Sequence, residues 1–558
     1  MTGHRADVKK PSHRSQITEE ASMRLNKVIY GFCAVAMATT GWEMGLKDAY
    51  AETPANMLII ANRIDDMVQL DPAEIFEFAG MDLALNVYDR LVAFAPRDLS
   101  KGAVPGLAES WTVGEDGKTY TFNIRPDVKF HSGNPVTAAD AEFSLRRAIL
   151  LKKTPSFILN QFGFTSENIK DTIQATDAMT LVITTDKKYA PSFVLNCLTA
   201  GIAGIVDKKL VMEHEKEGDL GHEWLKTHSA GSGAYKLTSW KPNESYTLTA
   251  VPGYWRGDAA MKRVIVRHVS ESATQRLMLE KGDIDIARNL SAEDVKAIKS
   301  NKNIAIDDDL RGRIMYFSMN QKHPALSKPK VAQALKYLAD YKGMANSFLK
   351  GQYTVHQAFL PRTYLGELKD KPFTFDLQKA KTLLKDAGYP DGFEVEMIVR
   401  NAQERLDIAQ SLQNTFGQAG VKVTLSVGTG KQILGRYRNR DFDIYLGAWG
   451  PDYPDPQTNA DTFSHNPDNR DEAKLTGKLA WRNAWDIPKM TKETEAAVEE
   501  LDAIKRGKMY VKIQKEHQMK SPFAIMFQQI EQTGRQKNVK NFITGAAISE
   551  AYYWTVTK

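Results

Sequence analysis

Residues 393–456 read FEVEMIVRNAQERLDIAQSLQNTFGQAGVKVTLSVGTGKQILGRYRNRDFDIYLGAWGPDYPDP, and this stretch decides the fold class. Phe393, Val395, Met397 and Val399 alternate as in a strand with one face buried. Leu406, Ala409, Leu412 and Phe416 follow at helical spacing. Val421, Val423, Leu425 and Val427 alternate again, Gly430 to Tyr437 can hold a short helix, and Phe442, Ile444 and Leu446 make a third strand. The order is β-α-β-α-β, and crossovers this short imply a parallel sheet. Ligands of such sheets bind outside the carboxyl ends of the strands. Here those ends are Arg400-Asn401, Gly428-Thr429-Gly430 and the run from Gly447 to Asp452. The third edge carries Trp449, Asp452 and Tyr453 among Pro451, Pro454 and Pro456, and prolines fix φ and disfavour helix, so this loop is expected to be stiff. A rigid surface turn and a binding loop are equally compatible with that pattern.

Outward from this stretch the same alternation of strand and helix continues, giving an α/β chain with no internal repeat. Trp111 and Val113, then Tyr120, Phe122 and Ile124, flank Asp116-Gly117, which predicts a hairpin with a tight turn. Thr137 with Asp140 three residues on predicts a capped helix start, with Phe143, Ala148 and Leu151 on its apolar side. Gly231-Ser232-Gly233 marks a sharp bend into a strand at Tyr235. Gln275 to Lys281 reads as a helix closed by Gly282, and Asp376 caps a helix over 377–387 that Gly388 stops.

At 558 residues the chain exceeds a single core, and at least two domains are expected. Its composition, 42% apolar and 25% charged, is that of a globular protein. A net charge of +6 without a basic block argues against a nucleic-acid partner. Residues 1–51 read as a leader: Arg24 and Lys27, the apolar stretch Val28 to Thr40, then Ala49-Tyr50-Ala51 before Glu52, the three parts of a secretory signal. Met23 is a plausible start, and the apolar stretch is short for a membrane span. Removal of seven Lys/Arg and five Asp/Glu with this segment leaves a net charge of +4. Cys33 departs with the leader, no small residues precede it to suggest lipidation, and Cys197 alone cannot form an internal disulfide.

Several pieces, in order, resemble the extracellular solute-binding proteins of family 5, which include oligopeptide- and dipeptide-binding proteins of bacterial ABC importers. They are Leu107-Ala108-Glu109-Ser110-Trp111, the run from Asp116 to Phe122, the run from Ile124 to Gly133, Pro135 to Asp140, Gly231 to Tyr235, Gly282-Asp283-Ile284-Asp285, and Ala448-Trp449-Gly450-Pro451-Asp452-Tyr453. The resemblance runs from about Leu58 to the C-terminus. It implies a two-lobed α/β fold with a hinge and an extra domain in the first lobe. The first lobe would comprise 52–95, 228–312 and 525–558, the extra domain 96–227 and the second lobe 313–524, with hinge strands near Tyr316 to Asn320 and Ala524 to Gln528.

The resemblance also implies a role for Asp452: in the peptide binders the aspartate after Trp-x-x grips the peptide's ammonium group. Trp449 and Tyr453 flank it as candidate walls. For the ligand carboxylate the alternatives are Arg436, Arg438 and Arg440 before the third strand, or Arg400 and Arg405 near a helix N-terminus, which favours anions. The implied function is capture of a peptide or similar solute by closure of the lobes and delivery to an inner-membrane ABC permease from the periplasm, by a monomer without a cofactor. Competing readings are a non-peptide solute on the same fold (an oligosaccharide, opine or metal chelate) and an exported hydrolase.

Other motifs fail on inspection. Gly428-Thr429-Gly430-Lys431 lacks the remaining P-loop residues, since Leu425 and Gln432 stand in their places. His222-Glu223 lacks the second histidine of a zinc helix, and Ala230 and Ala234 replace the glycines of a nucleophile elbow around Ser232. Asp443 with Asp452 could do acid-base work, but a solvated charge and a ligand clamp are the simpler readings. His465 is the one histidine near the candidate loop.

Overall fold

The computed structural model describes residues 53–94, 102–545 and 551–558; the leader segment 1–51 lies outside them. The stretch that decides the fold class forms the strand Glu394–Arg400, the helix Gln403–Gly417, the strand Lys422–Gly428, the helix Gly430–Arg438 and the strand Ile444–Trp449. All three strands are parallel, and Glu394–Arg400 lies between the other two. The first crossover therefore runs from the central strand to one neighbour and the second returns past it to the other, and ligands of such sheets bind at the carboxyl edge. Local chemistry supports each boundary. Gly420, at φ +85°, lets Val421 N–H reach back to the Phe416 carbonyl and ends the first helix. Thr429 and Gln432 form a reciprocal cap at the start of the second.

Among the described residues eleven strands join in one sheet. Two long antiparallel strands, Ile304–Met319 and Phe523–Gln536, run through its middle. On one side they carry the parallel trio. On the other lie Ile286–Ala287, Met57–Asn62, Arg263–His268, Ser245–Ala250 and Tyr235–Lys241. Each half has its own core, around Phe317, Val399 and Leu412 in one and Leu58, Tyr246 and Val264 in the other.

Between the halves the register breaks. Leu310 faces Ile530 but Ile314 faces Gln528, so Arg311, Gly312 and Arg313 stand against Gln529 alone. Extra residues on one strand bend it and free it from the ladder. The segments expected to cross, Tyr316 to Asn320 and Ala524 to Gln528, belong mostly to these two strands and lie beside the break.

A separate antiparallel sheet of Ala108–Val113, Thr119–Ile124, Thr180–Thr184 and Ile173–Ala175 packs with the helix Ala138–Leu150 around Tyr120, Phe122 and Phe162. The hairpin expected at Asp116-Gly117 is present, but residues 114–118 connect it rather than a two-residue turn. Asp116 Oδ1 accepts from the backbone N–H of Lys118 at 2.8 Å and of Thr119 at 3.0 Å, which stabilises the wider loop. The Thr137 backbone N–H donates to Asp140 Oδ2 at 2.9 Å, the cap read from the sequence.

Gly231 has a steric reason: a β-carbon there would lie 1.9 Å from the Val87 carbonyl oxygen. His222, from the incomplete zinc motif, is structural. Its Nδ1 lies 2.7 Å from the buried Asp71 carboxylate, which also receives Arg147 Nη1 at 2.8 Å and so ties the Asp71 loop to the Ala138–Leu150 helix.

Candidate ligand-binding cleft

The carboxyl ends of the parallel trio face the carboxyl ends of Met57–Asn62 and Ile286–Ala287 across a cleft of about 1210 Å³. One wall carries Asn62, Arg63 and Asp66, the helix Phe78–Val87 through Phe78 and Asp82, and Arg288 to Glu293. The opposite wall carries Arg400 to Arg405, Gly430, Ile433, Tyr445, Gly450 and Pro451. The floor is the register break, Arg311 to Arg313 with Gln529 to Gln532. This volume holds a ligand of several residues. Phe78 and Phe348 project into it with 49% and 38% of their surface exposed, which gives the cleft aromatic faces beside its charged ones.

The floor is electrostatically closed. Arg288 Nη1 lies 2.6 Å from Asp82, Arg288 Nη2 lies 2.9 Å from Glu531 Oε1, and Arg311 Nη2 lies 2.5 Å from Glu531 Oε2. Against desolvation, Arg311 and Arg288 hold the Glu531 carboxyl down to about 2. Desolvation, reinforced by Asp65 and Glu77, pushes Asp66 on the first wall up to about 6.

The sequence candidates divide. Arg400 lines the cleft at the end of its strand, with its guanidinium laid over Gly430: a β-carbon there would be 3.2 Å from the guanidinium carbon. Arg405 also lines it, 7% exposed, on the first turn of the helix Gln403–Gly417. Arg438 does not. It is exposed at the C-terminus of a helix whose N-terminus faces the cleft, and eight residues of helical rise carry it about 12 Å away. Arg436 is engaged by Glu396 at 2.7 Å and Asp441 at 2.9 Å, and Arg440 by Asp471 at 2.7 Å.

Around Asp452 the chain turns sharply. Gly450 and Pro451 line the cleft, while Trp449, Asp452 and Tyr453 lie behind that lining. Trp449 packs edge-on against Phe463, with ring centroids 6.3 Å apart. Tyr453 is buried in the core around Tyr120, Phe122 and Phe162, 5.9 Å from the Phe193 ring, so it holds the loop to that core and forms no wall of the cleft. Pro456 does not stiffen the loop: it starts the helix Pro456–Phe463, capped by Asp455, because proline suits the first helical position. Asp452 is largely enclosed. Its backbone N–H donates to Thr458 Oγ1 at 3.1 Å, and no cation pairs with its carboxylate among the described residues. Desolvation pushes that carboxyl up to about 7.

His465 sits in a cluster away from the cleft, with Nδ1 2.7 Å from Asp461 and Lys478 Nζ 2.6 Å from the same carboxylate. Asp443 accepts from the Glu396 backbone N–H at 2.9 Å and anchors the strands. Sequence reasoning missed Arg313. Its signal was Arg311-Gly312-Arg313, a glycine between two arginines just before the apolar run from Ile314 to Phe317.

The model of the bacterial extracellular solute-binding proteins, family 5, matches residues 102–471. The chain belongs to this family. Family 5 relatives include a probable D,D-dipeptide-binding periplasmic protein of Escherichia coli, 27% identical over 508 residues, covering 90% of this chain and 94% of that protein. A glutathione-binding protein of Pectobacterium atrosepticum is 27% identical over 64% of this chain and 66% of its own length. Among solved structures, HbpA2 of Haemophilus parasuis superposes with a TM-score of 0.76 at 24% identity, covering 90% of this chain and 99% of that one. DppA of Helicobacter pylori, in complex with the peptide STSA, gives 0.74 at 23% identity, covering 90% of this chain and 98% of that one. The two-lobed α/β fold and the role of a solute-binding component of an ABC importer follow from this membership.

Proposed function

We propose that the protein captures a short peptide, or a solute with a peptide's ammonium and carboxylate ends, in this cleft and presents it to an ABC permease in the inner membrane. The observation that carries the reading is the Asp452 carboxylate, enclosed without a counter-cation directly behind the cleft-lining Gly450 and Pro451. A buried carboxylate lacking a cation is costly, and a ligand ammonium would remove that cost. Arg400 and Arg405 on the same wall supply cations for the opposite end. Relatives named for binding D,D-dipeptides and glutathione support a peptide-like ligand.

Closure would hinge at 311–313 and Gln529, with 52–95, 228–312 and 525–558 moving against 313–524 and the ligand bridging both walls. Residues 1–51 would serve as the export signal, cleaved before Glu52. Mass spectrometry of solutes released from the gently denatured protein tests the reading. Peptides in the released fraction are the expected result; sugars or metal chelates in their place refute it.

A further inference from the structure

One wall of the cleft and the floor beside it hold three guanidinium groups, against which that wall sets Glu404 and Asp407, the latter taken by Gln403 Nε2 at 2.8 Å. Arg313 comes from the register break, Arg400 from the end of its strand and Arg405 from the following helix. Arg405 is 7% exposed, its Nε has no hydrogen-bond partner, and the nearest carboxylate oxygen, from Glu404, stands 3.9 Å away. Among the described residues neither Arg313 nor Arg400 forms an ion pair. Elsewhere in the cleft the contrast is sharp, since Arg288 and Arg311 are tightly held by Asp82 and Glu531. Desolvation and then the Arg313 charge pull the Arg405 guanidinium below its usual range, so the group is strained by its neighbours. No side chain caps the helix at Ala402, and its N-terminal end adds positive potential to the same wall.

We propose that this wall is a subsite for a dianionic end group, either two carboxylates or one phosphoryl group, rather than for the single carboxylate of an ordinary peptide. The proposal rests on the cleft being the ligand site. One carboxylate satisfies one guanidinium in a bidentate pair. With Arg405 so paired, Arg313 and Arg400 would remain in a closed cleft without partners, and unpaired buried charge opposes closure. A second negative charge meets them.

Calorimetry with Ala-Gln, Ala-Glu, Ala-phosphoserine and free glutarate, in 0.3 M salt to suppress long-range attraction, tests this. Ala-Glu is expected to bind at least about tenfold more tightly than Ala-Gln, which lacks only the second charge. In an Arg313→Gln/Arg400→Gln variant that preference is expected to fall below about threefold. Both side chains are solvent-accessible, so the fold tolerates the changes. Ala-phosphoserine above Ala-Glu identifies the phosphoryl form, and the reverse order the dicarboxylate form. Ala-Gln and Ala-Glu binding alike overturns the dianion subsite and leaves the peptide reading intact. Glutarate binding while every peptide fails upholds the subsite and removes the peptide reading. Failure of all four, or a preference unchanged in the double variant, overturns the proposal.

Discussion

Replacing Asp452 with asparagine keeps the side chain's shape and removes its charge, and the structure sets the size and pH dependence of the effect. The Asp452 carboxyl of the free protein titrates at about 7, because desolvation disfavours its charged form. An ammonium ligand selects that charged form. At pH 7 about half of the free molecules are therefore protonated, and binding should release about half a proton. Lowering the pH from 7 to 5.5 should weaken wild-type binding roughly 15-fold through this group alone. Asp452→Asn should lose about 2–5 kcal/mol of binding at pH 8, the usual cost of leaving one partner of a close pair unmet, or roughly 30-fold to a few thousand-fold. Its affinity should also lose this component of the pH dependence.

Asp66, pushed up to about 6 on the facing wall, will add pH dependence of its own, so the comparison of wild type with variant isolates Asp452. Stability should move the other way. The folded-state pKa lies above the ordinary aspartate value, so the native protein holds its proton more tightly than the unfolded chain. That contribution favours folding in acid and is lost as pH rises through about 7. Asp452→Asn should accordingly be more stable than wild type at pH 8, on the order of 1–2 kcal/mol after allowance for partial exposure, with the gain shrinking by pH 4. Titration calorimetry in buffers of different ionisation enthalpy reads the proton release, and thermal melts at the two pH values read the stability. Wild type and variant sharing one pH profile of affinity, with no proton released, would refute the role of Asp452.

Two further outcomes concern buried contacts, the first of them behind the recognition loop. Asp455, three residues on, is fully buried and accepts Arg506 Nη2 at 2.6 Å and Asn196 Nδ2 at 3.1 Å, the latter from the helix Pro191–Cys197. Arg506→Met leaves that carboxylate without its cation and should cost about 3–5 kcal/mol in urea unfolding, whereas a loss under about 1 kcal/mol would show the pair to be incidental. Gly231→Ala drives a β-carbon to 1.9 Å from the Val87 carbonyl oxygen, so it should destabilise by about 2 kcal/mol or more, while Gly417→Ala, in open space on a helix, should not lower the melting temperature.

The local pieces were legible in residues 393–456 because each rests on short-range physics. Alternation exposed the three strands, helical spacing the first helix, and short crossovers the parallel pairing, from which the carboxyl edge followed as the candidate site. The capped start at Thr137 and the bend at Gly231 were likewise visible, since a cap and a steric exclusion are properties of a few adjacent residues.

What the sequence by itself determined, then, was the fold class, the family resemblance and the edge at which a ligand would bind. Which side chains reach that edge was decided only by the tertiary structure. Arg438 and Arg405 are both arginines close to a site strand, yet one sits at the far end of its helix and the other on the first turn of the preceding one. Tyr453 belongs to a core built mostly from residues some 250–380 positions earlier, a contact that no local pattern encodes. Arg313 enters the cleft because two strands slip in register as they pass between the halves. Whether a charge is paired or left open depends on partners that only the folded chain brings within a few ångströms. The paired and the open arginines of the cleft therefore look alike in sequence and differ in space.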